Sequence, residues 1–439
     1  MKRYLFLFIF SIAINANGQW HKHENDPLPL HRSQKALSDI IVSDIFSPPV
    51  ASRIFVYANI AAYEIQVKNS KQFLSLSGQL NGFRGIPNPN QKQISYSLAA
   101  TYAYWQIGKR LVFSEQAALD SLDSILSWYK AKGYPDSIVQ NSILYGKTVL
   151  DTVLKWVDQD QYKETRKLRR YSLVKQEGNW SPTPPGYMAA VEPYWNRIRP
   201  LVMKSADQFK PAVPPPYSKD KNSAFYINAN EVYTVGKNLD EKQLDIAKFW
   251  DCNPFFLNLN GHMNYATKKI SPGAHWISIA GIASRSKKFN YMQSCFAYTY
   301  TCMALFDAFI SCWDEKYRSN YIRPETFINA NIDENWRPTL QTPPFPEYPS
   351  GHSVASTAAA FVLTKIFGDN FKYQDNTETD FGLPVRSFTS FNQAANEAAI
   401  SRLYGGIHYR PAIENGQVEG RNIGAYHVEK LKMENIKFK

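Results

Sequence analysis

The stretch 291–316 constrains the fold more than any other part of this 439-residue chain. Tyr291, Cys295, Tyr298, Cys302, Leu305, Phe309 and Cys312 follow one another at steps of four, three, four, three, four and three. That spacing is one face of an α-helix, so it predicts a long helix with a single buried stripe. One more step of four reaches Lys316. A lysine that continues a buried stripe either snorkels from the helix end or meets a buried anion. Three of the four cysteines lie on the stripe and are expected as reduced core residues. Neighbouring turns of one helix face give poor disulfide geometry, so no disulfide is expected within it. Cys252 is left without an obvious partner.

The rest of the chain reads in the same period, which places it in the all-α class. Ser47-Pro48-Pro49 is a helix start, with a capping residue and proline in the first turn. Residues 91–113, 115–128, 137–157, 239–250 and 274–284 also carry helical spacing, and strand-like alternation is rare. Between about 177 and 217 nine prolines forbid long helices. Trp180, Tyr187, Tyr194 and Trp195 interleave them, so a packed loop is expected rather than a free linker. The organisation expected is an N-terminal helical region over 19–290 and a catalytic helical bundle over 291–439.

Residues 1–18 read as a secretory signal peptide. Lys2 and Arg3 precede an apolar run from Leu5 to Ile14, with small residues Ala16 and Gly18 before a cut at Gln19. Ten apolar residues fall short of the roughly 20 that span a bilayer, and no other stretch reads as long and apolar enough. A periplasmic or secreted protein without a membrane span is expected. The formal net charge of +12 permits an anionic partner without naming one. The basic run 166–170 lacks a recognition motif and is read as a solvated helix face, so no nucleic-acid partner is expected.

Three segments carry the chemistry. In the first, Lys316 and Arg323 stand seven apart, on one face if the helix persists, although Pro324 argues that it stops. In the second, Pro349-Ser350-Gly351-His352 opens a helix over 353–367. A helix start offers free N–H groups and a positive dipole end, Gly351 admits an oxyanion close to the backbone, and His352 is placed for proton transfer. In the third, a helix over 392–404 carries Ser401 and Arg402, and Gly405-Gly406 ends it before His408. An unbroken helix would splay Arg402 and His408 by about 120°, so the glycine pair must bend the chain if both face one site. Two histidines, three cations, a hydroxyl and helix-end amides are what a tetrahedral or trigonal-bipyramidal oxyanion requires.

These segments resemble the signature of the type 2 phosphatidic acid phosphatase and vanadium-dependent haloperoxidase superfamily, over about residues 316–408. The region before them is similar, more loosely, to the helical extension of bacterial and fungal haloperoxidases. The resemblance implies a site inside a helix bundle. His408 would be the covalent ligand of vanadate, or the phosphorylated nucleophile of a phosphatase, and His352 the acid–base. Lys316, Arg323 and Arg402 would neutralise the oxyanion, with Lys316 polarising the bound oxidant. Ser350 and the Gly351 amide would donate hydrogen bonds, and Ser401 would support Arg402. Phe345 and Trp313 match the chloroperoxidase pattern, with ordinary core packing as the competing reading. Vanadate is the expected cofactor, with no haem or flavin. Hydrogen peroxide, a halide and a small organic acceptor are the expected partners.

One position departs from the signature. Its phosphatase form has Asp four residues after the last histidine, and this chain has Ala412. The group that orients His408 is missing locally, leaving Glu414 or a backbone carbonyl to substitute. Two other readings stay open. A secreted acid phosphatase would turn over a phosphate ester on the same residues through a phosphohistidine. A non-catalytic helical binding protein would use the aromatic-rich middle as its face.

Overall fold

A computed structural model describes residues 19–435 except 92, 261, 262 and 267. The leader-like residues 1–18 lie outside the described residues.

Local capping chemistry sets most of the helix starts that the sequence announces. Helices α1 (Leu28–Ser43), α2 (Pro48–Val67), α3 (Tyr96–Leu111), α4 (Glu115–Ala131) and α5 (Asp136–Val157) come first, followed by the single turn α6 (Tyr162–Thr165). Ser47 and Ser95 cap α2 and α3 by accepting hydrogen bonds from Val50 and Leu98 N–H. The second set is α7 (Ala224–Lys237), α8 (Glu241–Phe249), α9 (Pro272–Ser286), α10 (Tyr291–Ser319), α11 (Pro324–Asn331), α12 (Gly351–Phe367), α13 (Phe391–Tyr404) and α14 (Arg410–Lys430). Three short 3-10 helices, Gln19–His23, Trp195–Arg197 and Thr379–Phe381, and two short antiparallel strand pairs complete the described elements. Leu257–Asn260 (β1) pairs with Met263–Ala266 (β2), and Tyr373–Asp375 (β3) with Arg386–Phe388 (β4).

Helix α10 is the axis of the core, and it corrects the stripe reading. All of residues 291–316 except Gln293 are buried, so the helix is enclosed on every side rather than along one face. Helices α2, α9 and α12 pack around it. By length and composition α10 could cross a membrane, contrary to expectation; its apolar window is instead wholly covered by the rest of the protein. All four cysteines are free and buried, as expected of core thiols.

Asn320 ends α10 in the left-handed region, at φ 46°. Arg323 then serves as the N-cap residue of α11 with Pro324 in the first turn. Lys316 and Arg323 therefore do not share a helix face; they reach the site from separate elements.

The proline-rich segment is packed, as expected. Trp180 and Trp195 are buried, whereas Tyr187 is exposed. The Asp307 carboxylate of α10 accepts the Leu201, Val202 and Met203 N–H groups at 2.7–3.1 Å, which ties the segment's end to the core. The basic run departs from its reading. Helix α6 stops at Thr165, so 166–170 lie in a turn and loop, with Arg166 paired to Glu192.

Helix α14 lies close against α12 along Gly416, Gly420 and Gly424. A Cβ at Gly420 would collide with the Val354 carbonyl, so only glycine permits this approach. It fixes the N-terminal end of α12, where Ser350 and Gly351 stand, against the helix that follows His408.

Candidate oxyanion site

Three chain segments converge on the start of α12. Ser350 caps it, its Oγ accepting from Ser353 N–H at 3.3 Å, while its own N–H is given to the Ala412 carbonyl at 3.0 Å. The first-turn amides of Gly351 and His352 have no carbonyl one turn back to bond. A Cβ at Gly351 would touch Trp313 only at an ordinary 3.5 Å, so the protein itself leaves room at that position.

The last segment turns back as the glycine pair predicts. Gly406 takes φ 75°, and a Cβ there would press on Trp336 and Pro338 at about 3.1 Å. The turn places Arg402, at the end of α13, and His408 on one cavity with His352, Gly351, Trp313 and Phe345. The cavity is small, about 30 Å³ at the centres of water-sized spheres. That is room for roughly two waters or one small oxyanion, not for a large organic molecule.

The cations decide the electrostatics. Lys316, Arg323 and Arg402 are all essentially fully buried. Among the described residues none of them forms an ion pair within 4 Å. Arg323 donates Nε to the Phe345 carbonyl and Nη1 to the Ile407 carbonyl, each at 2.9 Å. Arg402 donates Nε to Ser401 Oγ at 3.1 Å, the supporting part expected of Ser401. The Nη2 of each arginine and the Nε2 of His352 are buried without a partner. The two guanidinium donors left open at this cost mark a place shaped for an anion.

Lys316 behaves differently from expectation. Its Nζ donates to the carbonyls of Pro346, Glu347 and Pro349 at 3.0, 3.0 and 2.5 Å. Three donors meet three carbonyls, so the ammonium braces the 346–349 loop and would have to release one carbonyl to touch an oxyanion. Burial pulls its pKa down to about 8.

His408 Nδ1 lies 2.9 Å from Glu347 Oε1, which also accepts Tyr409 N–H at 2.9 Å. Arg323 Nη1 lies 3.2 Å from His408 Nε2. A guanidinium only donates, so Nε2 carries the lone pair and Nδ1 the proton. Burial, then Arg323, Lys316 and Arg402, hold the imidazole pKa well below its usual value. Burial pushes Glu347 up to about 7 against the pull of Arg323. The imidazole is thus neutral, and once Glu347 is ionised, above about pH 7, Nε2 is basic and aimed among cations. That atom could hold a tetrahedral metal oxyanion, and the donors around it fit one. His352 also stays neutral, through burial and then Arg402.

Phe345 and Trp313 prove to be both wall and packing. Their rings lie 4.9 Å apart between centroids, and Lys316 and Arg323 each sit 5.1 Å from the Phe345 ring. Cations this close to an aromatic ring are attracted by its quadrupole while the ring keeps water off them.

Comparison with known proteins bears on this constellation. Residues 296–435 match the family model described as the VCPO second helical-bundle domain. The crystal structure of the first bacterial vanadium-dependent iodoperoxidase superposes with a TM-score of 0.88 at 50% identity, over 93% of this chain and 97% of that one. The chain belongs to the vanadium-dependent haloperoxidase family. Holo and apo forms of a bacterial vanadium-dependent chloroperoxidase share the fold at 15% identity, with TM-scores of 0.66 and 0.65; each alignment covers 88% of this chain, and 93% and 94% of theirs. No curated protein matches.

In this haloperoxidase the orienting group that Ala412 lacks comes from neither Glu414 nor a backbone carbonyl. It is Glu347, 61 residues before His408. The signal was present: Glu347 is the one acid within the apolar and proline-rich run 343–349. Such an acid must find a buried partner or be excluded from the core. The Ala412 carbonyl instead fixes Ser350.

Proposed function

We propose that this haloperoxidase binds vanadate at His408 and uses hydrogen peroxide to oxidise halide, iodide first, to hypohalous acid that halogenates small organic acceptors. The observation that carries this reading is the His408 Nε2 lone pair, fixed by Glu347 and set among buried cations that form no ion pair within 4 Å among the described residues. Iodide is supported by the 50% identity with a vanadium iodoperoxidase. Bound vanadate would supply two-electron activation of peroxide without changing its oxidation state, so neither haem nor flavin is required.

The protein's own residues do the rest. His408 Nε2 holds the cofactor. The open Nη2 groups of Arg323 and Arg402, with the Ser350 hydroxyl and the Gly351 amide, neutralise and orient its oxygens. His352, neutral at working pH, takes the proton of incoming peroxide on Nε2. Trp313 and Phe345 line the approach and exclude bulk water. Lys316 fixes the loop that carries Glu347, and so fixes the tautomer of His408. Proton balance closes as halide, peroxide and one proton give hypohalous acid and water. The leader-like residues 1–18 support an enzyme that works in the periplasm or outside the cell.

The test is vanadate loading of purified protein, then peroxide with iodide, bromide or chloride, with halogenation of a phenolic dye as the readout. Vanadate-dependent turnover, fastest with iodide, is expected. No oxidation of any halide by loaded protein, together with steady hydrolysis of a chromogenic phosphate ester inhibited by vanadate, would establish the acid phosphatase instead.

A further inference from the structure

A second buried cluster stands beside the oxyanion cavity and takes no part in the chemistry above. It joins three separate parts of the fold. Cys252 follows α8, His275 lies in the first turns of α9, and Asp375 and Glu378 come from the end of β3 and the turn after it. Their exposures are 2%, 0%, 0% and 5%. His275 Nδ1 lies 3.0 Å from Glu378 Oε1 and 3.6 Å from Cys252 Sγ, and that sulfur lies 3.9 Å from the same Glu378 oxygen. On the other side of the ring, Nε2 lies 2.8 Å from Asp375 Oδ2.

We propose that Cys252, His275 and Glu378 bind a zinc ion, with Asp375 holding the far nitrogen of the imidazole. Three observations carry it. One sulfur, one nitrogen and one carboxylate oxygen face a common point, a donor set that suits zinc and not calcium or magnesium. Zinc bonds of about 2.0–2.3 Å in tetrahedral array put ligand atoms roughly 3.3–3.6 Å apart. The three separations here average close to that edge, so the ion needs only small adjustments. Lastly, a ligating histidine ordinarily gives its other N–H to a carboxylate, and Asp375 already stands there.

Charge and protons balance. Without metal, the imidazole is positive between two carboxylates and the thiol keeps its proton. Zinc displaces the thiol proton and the Nδ1 proton, two in all, and leaves the net charge of the cluster unchanged. The fourth position falls to water.

The site has a structural consequence. Asp251, Cys252, Asn253 and Phe255 line the oxyanion cavity. A zinc ion would clip that wall to α9 and to the β3–β4 hairpin. It would also occupy the one cysteine that lines a cavity where hypohalous acid forms.

The experiment uses the full chain, freed of metal with a chelator and exchanged into cobalt(II) or zinc(II) one equivalent at a time. With cobalt, a near-ultraviolet thiolate charge-transfer band and strong tetrahedral visible bands should saturate at one equivalent, and Cys252→Ser should abolish the thiolate band. With zinc, about one ion per chain should survive desalting in the wild type, with a rise in Tm of several degrees that Glu378→Gln reduces. Absence of the thiolate band in wild-type protein, or equal zinc retention by wild type and Cys252→Ser, would overturn the proposal. The wild-type spectrum decides even if a variant fails to fold.

Discussion

Two buried histidine–carboxylate pairs stand on the two sides of one cavity wall, and they are built oppositely. His408 meets one carboxylate, Glu347, and is surrounded by Arg323, Lys316 and Arg402; it is neutral, with a lone pair to offer. His275 meets two carboxylates, Asp375 and Glu378, which drive its pKa well above the usual value against the effect of burial; in metal-free protein it is a cation. The contact distances are nearly the same, 2.9 Å against 2.8 and 3.0 Å. What separates a neutral histidine from an imidazolium in the metal-free protein is therefore the sign of the next charges out, not the hydrogen bond itself.

Mutations should break this symmetry in order of size. Replacing His408 by Ala removes the lone pair on which vanadate would sit, and vanadate-dependent halide oxidation should drop by at least ~10²-fold, the scale of losing a preorganised active-site group. Steady-state assays at saturating vanadate check it; unaltered turnover would remove His408 from the centre. Glu347→Gln keeps the shape but frees the tautomer. Vanadate affinity or turnover should fall about 10–100-fold, as for other groups that orient a metal-bound histidine. Retention of wild-type affinity would mean that Arg323 alone sets the tautomer.

His275→Gln should act on stability instead. In metal-free protein it strips the cation from two buried carboxylates, which costs about 3–5 kcal/mol. Urea denaturation should show that loss, while turnover of the folded variant changes far less than in Glu347→Gln. The opposite ranking would erase the distinction between the two pairs.

The smallest effect is in pH. In anion-free protein Glu347 titrates near 7 in the folded state, above the ordinary carboxylate value of 4.5. A folded pKa raised in an acid means that the native state binds the extra proton, so this group lowers stability as pH rises from about 4.5 to 7. Over the same window vanadate affinity should rise. Protonated Glu347 donates to Nδ1 and moves the imidazole proton to Nε2, whereas the carboxylate returns the lone pair there. Above about 8 Lys316 loses its charge and affinity should fall again. Equilibrium titration of vanadate across pH 5 to 9 would show the bell, and Glu347→Gln should flatten its acid side alone.

Much of this was legible in the residues. The helical period, the serine caps before α2 and α12 and the glycine pair before His408 are local facts. Each depends on a few consecutive backbone groups, so the chain states them without its fold. Six of the lining residues, Trp313, Phe345, Gly351, His352, Arg402 and His408, were also legible, because an oxyanion needs cations and helix-end amides in a recognisable order, whereas the wall at 251–255 was not. Other features depended on contacts between distant segments. Arg323 shares no face with Lys316, because Asn320 turns the chain before α11 begins. Lys316 meets carbonyls of a loop 30 residues later instead of facing the cavity.

The sequence by itself determined an all-helical chain with one oxyanion-binding constellation, since spacing and residue type alone specify helices and convergent charge. Only the tertiary structure decided which histidine is neutral and which is charged. Protonation depends on the field of every group packed nearby. Glu347 and His408, or Cys252, His275 and Glu378, become neighbours only when the chain has folded around α10.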